Sequence, residues 1–281
     1  MWFFVFLASF GTLMEYNFSR FMGQGVRSEG EFHHNILKLN TIDSTNSFAK
    51  AHFDELIDRT AVVADYQTAG RGRAGRSWCS LEGNLFLTLI LKPNIPFSPE
   101  SAHATMTHYM GVSLCLLLEK MGLRPGLKWP NDILVNGKKI AGILAEFVPM
   151  PSKNSRPQMG IVIGIGVNLN MKDSDLEAID QPAVSLAQLL PPKRRPDRDH
   201  FLTAYLDTFF EEYDLFLRNG FAQIVKTYDS FLLYKGEKVR LQTEQNTRRG
   251  TLKGITPSGS LLLEDETARQ NEYYAGDVWL E

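Results

Sequence analysis

Cysteine is nearly absent: Cys79 and Cys115 are the only two in 281 residues. Neither sits in a CxxC or other metal-ligand spacing, so a disulfide framework and a thiolate zinc site are both excluded, and two reduced thiols remain. The six histidines are scattered apart from His33-His34. An excess of one charge is missing too, since 30 Lys and Arg against 32 Asp and Glu leave a formal net charge of −2. That argues against a phosphate-backbone binder, which needs many cations on one face. No apolar run approaches the roughly 20 residues that span a bilayer. No internal repeat is visible, and no GK[ST] follows the glycine-rich stretch, which removes a Walker A loop.

What is present is ordinary in bulk, 43% hydrophobic and 22% charged, enough for one large domain and a small one. Trp2 to Phe10 is almost wholly apolar but lacks a basic flank and a convincing cleavage site. Three readings stay open for it: a true start downstream at Met14 or Met22, a short extension packed on the body, or a weak membrane anchor. The pattern then predicts a strand at Ile36–Leu39 and a helix from Asp43 or Ser44 as N-cap to about Asp58. Further strands are expected at Ala61–Tyr66 and Asn84–Leu91. A helix over Pro99–Met121 carries Met106, Met110, Leu114, Leu117 and Met121 on one buried stripe. Leu127–Val135 and Lys139–Phe147 read as a hairpin turning at Asn136-Gly137, Pro149–Pro157 as a loop tip, and Met159–Asn168 as a strand. Pro191–Pro196 is a solvated connector. Two helices follow, at Asp197–Asn219 and Phe221–Leu233, and then four short strands from Lys235 on suggest a small SH3-like barrel.

The densest signal is the loop Gln67-Thr68-Ala69-Gly70-Arg71-Gly72-Arg73-Ala74-Gly75-Arg76-Ser77-Trp78. Glycines free its backbone while arginines supply permanent, bidentate charge suited to phosphate oxygens. Residues 70–75 spell G-x-G-x-x-G, but a strand follows rather than a helix. The region about twenty residues on is Leu91-Lys92-Pro93, with no acidic partner for a ribose, so a dinucleotide fold is set aside. Some fifty residues later come Lys128-Trp129-Pro130-Asn131-Asp132 and Gly137-Lys138-Lys139-Ile140-Ala141-Gly142. Two basic, rigid motifs fit carboxylate activation by a nucleotide. There two anions must meet, and fixed cations offset their repulsion.

Five blocks together resemble the biotin–protein ligase family. They are Asp43-Ser44-Thr45-Asn46; Gln67 with the arginine loop; Lys128-Trp129-Pro130-Asn131-Asp132; Lys139-x-Ala141-Gly142-Ile143-Leu144-x-Glu146; and Gly164-x-Gly166-x-Asn168. The resemblance runs from about residue 36 to the C-terminus. It implies an α+β fold with a mixed-sheet catalytic domain of the class II synthetase-like biotin/lipoate ligase type at 36–234. A C-terminal SH3-like barrel would occupy 235–281, with 1–35 an extension. It implies ATP and Mg2+ as co-substrate and ion, biotin as substrate, and no tightly bound prosthetic group. Biotinyl-5′-AMP would form and biotin would pass to a lysine of a carboxylase's biotin carboxyl carrier domain.

By that resemblance Lys128, Arg71 and Arg73 act in catalysis. Ser44, Thr45, Asn46, Gln67, Gly70, Arg71, Gly72, Arg73, Lys128 and Gly142 meet biotin. Arg73, Arg76, Trp78, Asn131, Asp132, Lys139 and Asn168 meet ATP or the adenylate, with Asp132 also a metal candidate. Gly142 and Gly166 permit close ligand approach, and Arg248 and Arg249 are offered to ATP. Some relatives carry an N-terminal DNA-binding helix-turn-helix. The first 35 residues show no such pattern, so a monofunctional, cytoplasmic ligase without nucleic-acid or membrane partners is expected, a homodimer being allowed. A lipoate–protein ligase and a non-catalytic biotin-binding regulator are the alternatives.

Overall fold

Burial on both faces decides the central sheet. In the computed structural model, which describes residues 34–93, 99–153 and 156–281, seven strands form it. They are β1 (Asn35–Ile42), β2 (Thr60–Gln67), β3 (Leu85–Leu91), β4 (Pro125–Lys128), β5 (Asp132–Val135), β6 (Lys138–Lys153) and β7 (Arg156–Val167). Their order is β1-β2-β3-β7-β6-β5-β4. The β1–β2 pair is parallel and the rest antiparallel, so the sheet is mixed, as the family resemblance implies. All seven residues of β3 are buried, which is why it reads as an unbroken apolar run instead of an alternation.

The helices are α1 (Thr45–Ala51), α2 (Pro99–Lys120), α3 (Asp173–Glu177), α4 (Leu186–Leu189), α5 (Arg198–Glu211), α6 (Tyr213–Asn219) and α7 (Val225–Phe231). One face of the sheet (Ala61, Val63, Leu87, Leu89, Ile163, Ile165) shares a core with Met106, Met110 and Leu114 of α2 and Phe201, Tyr205 and Phe209 of α5. Each of the leucine, isoleucine, valine, methionine and phenylalanine side chains among them, fully buried, contributes about 1.5–3 kcal/mol. The other face buries Val62, Ala64 and Val162 under Ala49 and Phe53.

Several sequence expectations need correction. Helix α1 stops at Ala51, well short of Asp58. Its inward residues are used up once Phe53 reaches the sheet, and Asp54 and Glu55 face solvent. The stretch 127–135 is two strands, because the turn at Trp129-Pro130-Asn131 interrupts the ladder where Pro130 has no N–H to give. The Pro149–Pro157 tip is mostly strand, since β6 runs to Lys153 and β7 begins at Arg156. The helix expected over 197–219 breaks at Glu212 into α5 and α6. The expected turn at Asn136-Gly137 does form, with φ of 52° and 74°, the left-handed pair a two-residue hairpin needs. Expectations for the N-terminal extension fall on residues 1–33 and lie outside the described residues.

Beyond Lys235 the period becomes two. β8 (Lys238–Gln242), β9 (Thr247–Ile255), β10 (Leu261–Glu264), β11 (Gln270–Tyr273) and β12 (Asp277–Leu280) make an antiparallel sheet ordered β11-β10-β9-β8-β12. The fifth strand, β11, has no apolar face and was missed from sequence. The five strands agree with the SH3-like domain expected, although no pair that would close the sheet is present among the described residues, where β11 and β12 are its edges. Inward Val239, Leu241, Leu252, Leu261, Leu263 and Val278 are buried. The β9–β10 turn docks through Gly259, whose carbonyl lies 2.9 Å from His108 Nε2 and accepts from Trp129 Nε1 at 3.3 Å.

Candidate active site

Helix α1 begins where β2 ends, and a cleft opens between them. Ser44 caps α1, its hydroxyl accepting from the Ser47 N–H at 3.5 Å. The buried Gln67 at the end of β2 accepts from the Thr45 N–H at 2.8 Å and donates to Ser80 Oγ at 2.9 Å. Asn46 donates to the Leu144 carbonyl at 3.1 Å and to Glu146 at 3.3 Å. Ser44, Thr45, Asn46 and Gln67 thus form a floor of neutral hydroxyls and amides, in a cleft holding about 710 Å³ of free space, its open mouth included.

The arginine loop forms the rim, and Arg71, Gly72, Arg73 and Arg76 line the cleft with Lys139, Asn131 and Asp132. Each cation is already partnered. Arg71 makes a two-point pair with Glu146 at 3.1 and 3.2 Å. Arg73 donates to Asn131 Oδ1 at 2.8 Å and lies 3.6 Å from Asp277, while Arg76 meets the same Asp277 at 2.9 Å. Lys139 pairs with Asp132 at 2.8 Å, both largely buried. Four rim cations therefore share three carboxylates, leaving an excess of one positive charge for an anion.

Burial works to raise the Glu146 carboxyl, but hydrogen bonds from Arg71 and Lys50 outweigh it and hold the group below its ordinary value. Burial lowers Arg73 against the opposing pull of Asp277, and the guanidinium stays charged regardless.

Between floor and rim lies Trp78. Gly142 and Gly166 face one another across β6 and β7, and the indole rests on that bare patch. A Cβ on Gly166 would sit 2.4 Å from the indole Cε2 and Nε1, and one on Gly142 would sit 2.9 Å from Cζ3. These glycines were read as room for a ligand; the group that approaches them here is the chain's own tryptophan. Its buried Nε1–H has no protein partner, and Lys139 Nζ lies 5.4 Å from its ring centre.

Some expected positions fall elsewhere. Lys128 does not line the cleft: its ammonium stands 3.5 Å from the ring centre of Trp279 on β12. Burial lowers its pKa from the ordinary value, with Asp132 and Asp277 acting in the opposite direction. Asn168 is buried, and its amide donates to the Val184 carbonyl at 3.2 Å. It therefore ties two chain segments together, and it is not among the residues that line the cleft. Gly70 closes the loop, for a Cβ there would meet Ser80 Oγ at 2.3 Å and the Trp78 carbonyl at 2.6 Å. Arg248 and Arg249 lie on β9 outside the cleft, and Arg249 is paired with Glu281 at 2.6 Å. Sequence reading gave Glu146 no role and missed Asp277 and Trp279 altogether. Their signal was present as a two-residue period in Gly276-Asp277-Val278-Trp279, which turns both toward the same side while Val278 is buried.

Comparison with known proteins agrees with this geometry. The model of the "Biotin/lipoate A/B protein ligase family" matches residues 39–168, and that of the "Biotin protein ligase C terminal domain" matches residues 235–280. The bifunctional ligase/repressor BirA of Bacillus subtilis is 37% identical over 226 residues, 79% of this chain and 66% of its own length. The chain thus spans just under two thirds of that relative. The biotin–[acetyl-CoA-carboxylase] ligase of Paracoccus denitrificans is 31% identical, covering 81% of this chain and 93% of its own. The biotin protein ligase of Aquifex aeolicus, solved in complex with biotin and ATP, superposes with a TM-score of 0.72 at 30% identity. That match covers 88% of this chain and 98% of the other. With the five motifs gathered around one cleft and these likenesses running through both sheets, the chain belongs to the biotin–protein ligase family.

Proposed function

We propose that the protein is an ATP-dependent biotin–[acetyl-CoA-carboxylase] ligase. Biotin's carboxylate attacks the α-phosphate of ATP, the α–β phosphoanhydride bond breaks, and biotinyl-5′-AMP and pyrophosphate result. The ε-amino group of a carrier-domain lysine then attacks the acyl carbon, forming an amide and releasing AMP, while the amine sheds a proton. The observation that carries this reading is one cleft with two chemistries, a neutral hydrogen-bonding floor against a rim of four cations. The floor suits a ureido ring, whose N–H and C=O groups would be costly to bury unpaired. The rim suits the junction where carboxylate meets phosphate.

The residues divide the work accordingly. Ser44, Thr45, Asn46 and Gln67 hold the ring end. Arg71, Arg73, Arg76 and Lys139 exchange their carboxylate partners for phosphate oxygens as the nucleotide enters, so charge lost on one side is regained on the other. Trp78 supplies an apolar face and one N–H seeking an acceptor. Asp132 is the one carboxylate among the described lining residues and is held by Lys139. A magnesium ion would accordingly rest mainly on phosphate oxygens, as it commonly does, and would neutralise their charge. The division into a catalytic region at 36–234 and a C-terminal region at 235–281 is part of this proposal, as are a cytoplasmic setting and a carrier domain as partner. No helix among the described residues is long and apolar enough to cross a membrane.

The test is ATP–pyrophosphate exchange by the purified protein with biotin or lipoate, beside an Arg73→Ala variant. Exchange with biotin alone, lost in the variant, is expected. Exchange with lipoate alone would move the protein to the sister activity, and none from a folded, biotin-binding protein would leave a binding module.

A further inference from the structure

Beneath the cleft floor lies a hydrogen-bonded cluster whose buried members do not all face the ligand. Ser80 and Thr88 are 7% and 0% exposed and neither lines the cleft, yet each holds an amide that does. The Thr45 N–H can only donate, so the atom of Gln67 facing it at 2.8 Å is the carbonyl oxygen. The Gln67 NH2 group then falls to Ser80 Oγ at 2.9 Å, and the Ser80 hydroxyl donates onward to the Trp78 carbonyl at 3.1 Å. Asn46 is fixed by the same logic. The Leu144 carbonyl and the Glu146 carboxylate only accept, so the Asn46 NH2 faces them and its oxygen faces Thr88 Oγ1 at 2.7 Å. A Cβ on Gly164 would stand 2.0 Å from that oxygen, so bare backbone keeps its place open.

Counting protons gives the consequence. Three oxygen–oxygen contacts run through the cluster: Thr88 to Asn46 at 2.7 Å, Thr88 to Thr45 at 2.8 Å and Thr45 to Gln67 at 3.1 Å. Two hydroxyl groups supply two protons, so one contact always lacks a donor. Thr45, Asn46 and Gln67 all border the cleft, where their remaining lone pairs can accept from a ligand N–H.

We infer that Ser80 and Thr88 are positioning residues that lock the polarity of Gln67 and Asn46. With both threonine protons used inside the cluster, the Thr45, Asn46 and Gln67 oxygens meet the cleft as acceptors, so that the floor selects a ring bearing free N–H groups. This deepens the ligase reading and rests on it.

The experiment measures KM for biotin and for ATP by pyrophosphate exchange in wild type, Thr88→Val, Thr88→Ser and Ser80→Ala. Binding of biotin and of an N-methylated biotin to wild type is measured alongside. Thr88→Val is expected to raise the biotin KM about tenfold with the ATP KM within about twofold, and Thr88→Ser to return it to within about twofold. N-Methylbiotin is expected to bind wild type at least about tenfold more weakly than biotin. An unchanged biotin KM in Thr88→Val overturns the inference, as does a joint rise in both KM values that serine does not repair. Equal binding of the methylated ligand overturns the acceptor role of the floor. Should Thr88→Val fail to fold, Ser80→Ala carries the same expected split. Wild type that neither binds biotin nor exchanges pyrophosphate marks instead the failure of the ligase reading.

Discussion

Gly166→Ala makes the sharpest probe of how Trp78 is seated. A methyl group there would stand 2.4 Å from two indole atoms, more than 1 Å inside the carbon contact distance of about 3.5–4.0 Å. The β7 backbone cannot yield, because it is hydrogen-bonded to β3 and β6 on both sides. The indole must therefore move. Overpacking of this kind costs about 1–3 kcal/mol, which lowers Tm by about 2–12 °C in a domain of this size. The decisive assay is a double-mutant cycle with Trp78→Ala, read by urea unfolding. With the indole gone the three nearest atoms to the new methyl are removed, so the Gly166→Ala penalty should fall close to zero. A coupling of about 1–3 kcal/mol is the expected result. Additivity within about 0.5 kcal/mol would refute the reasoning, because it would mean that the two positions do not touch.

Two further outcomes follow from the charge pairs. Asp277→Asn withdraws the carboxylate shared by Arg73 and Arg76; the ATP KM should fall severalfold, with a weaker salt bridge cost because these groups are partly exposed. A raised ATP KM would show that Asp277 organises the arginines more than it competes for them. Glu146, held below its ordinary carboxyl value of 4.5, stabilises the fold fully above that pH and loses the contribution as pH falls through its lower folded value. The stability gap between wild type and Glu146→Gln should be level above about pH 5 and shrink on acidification; a gap independent of pH down to acid unfolding would contradict the pairing with Arg71 and Lys50.

Legibility in the sequence tracked how local each constraint was. Asn136-Gly137 fixed its turn through two left-handed residues, and the 85–91 run announced a strand buried on both faces. The arginine loop and Lys139 could be assigned to one site because the residue types themselves bespeak phosphate. The partners of Lys128 and Asn168 were not legible because they come from afar, Trp279 in one case and Val184 in the other. Neither partner leaves a trace in the spacing of the motif that carries the residue, Lys128-Trp129-Pro130-Asn131-Asp132 or Gly164-x-Gly166-x-Asn168. The early stop of α1 has a related reason: helix propensity continues past Ala51, although the residues after it that stay in the core, Phe53 and Leu56, reach the sheet from a turn.

Strand β7 obeys opposite rules on its two sides. Ile161, Ile163, Ile165 and Val167 fill one core, whereas Gly160, Gly164 and Gly166 lie bare beneath Phe53, Asn46 and Trp78. A saturation scan of the strand would therefore show intolerance at both parities with reversed preferences. Odd positions would reject anything smaller, through cavities, and the glycines anything larger, through collision. Sequence drift along β7 is confined from both directions, and a ring from the turn after α1, a helix amide and a loop indole can be carried past it only as long as the bare side stays bare.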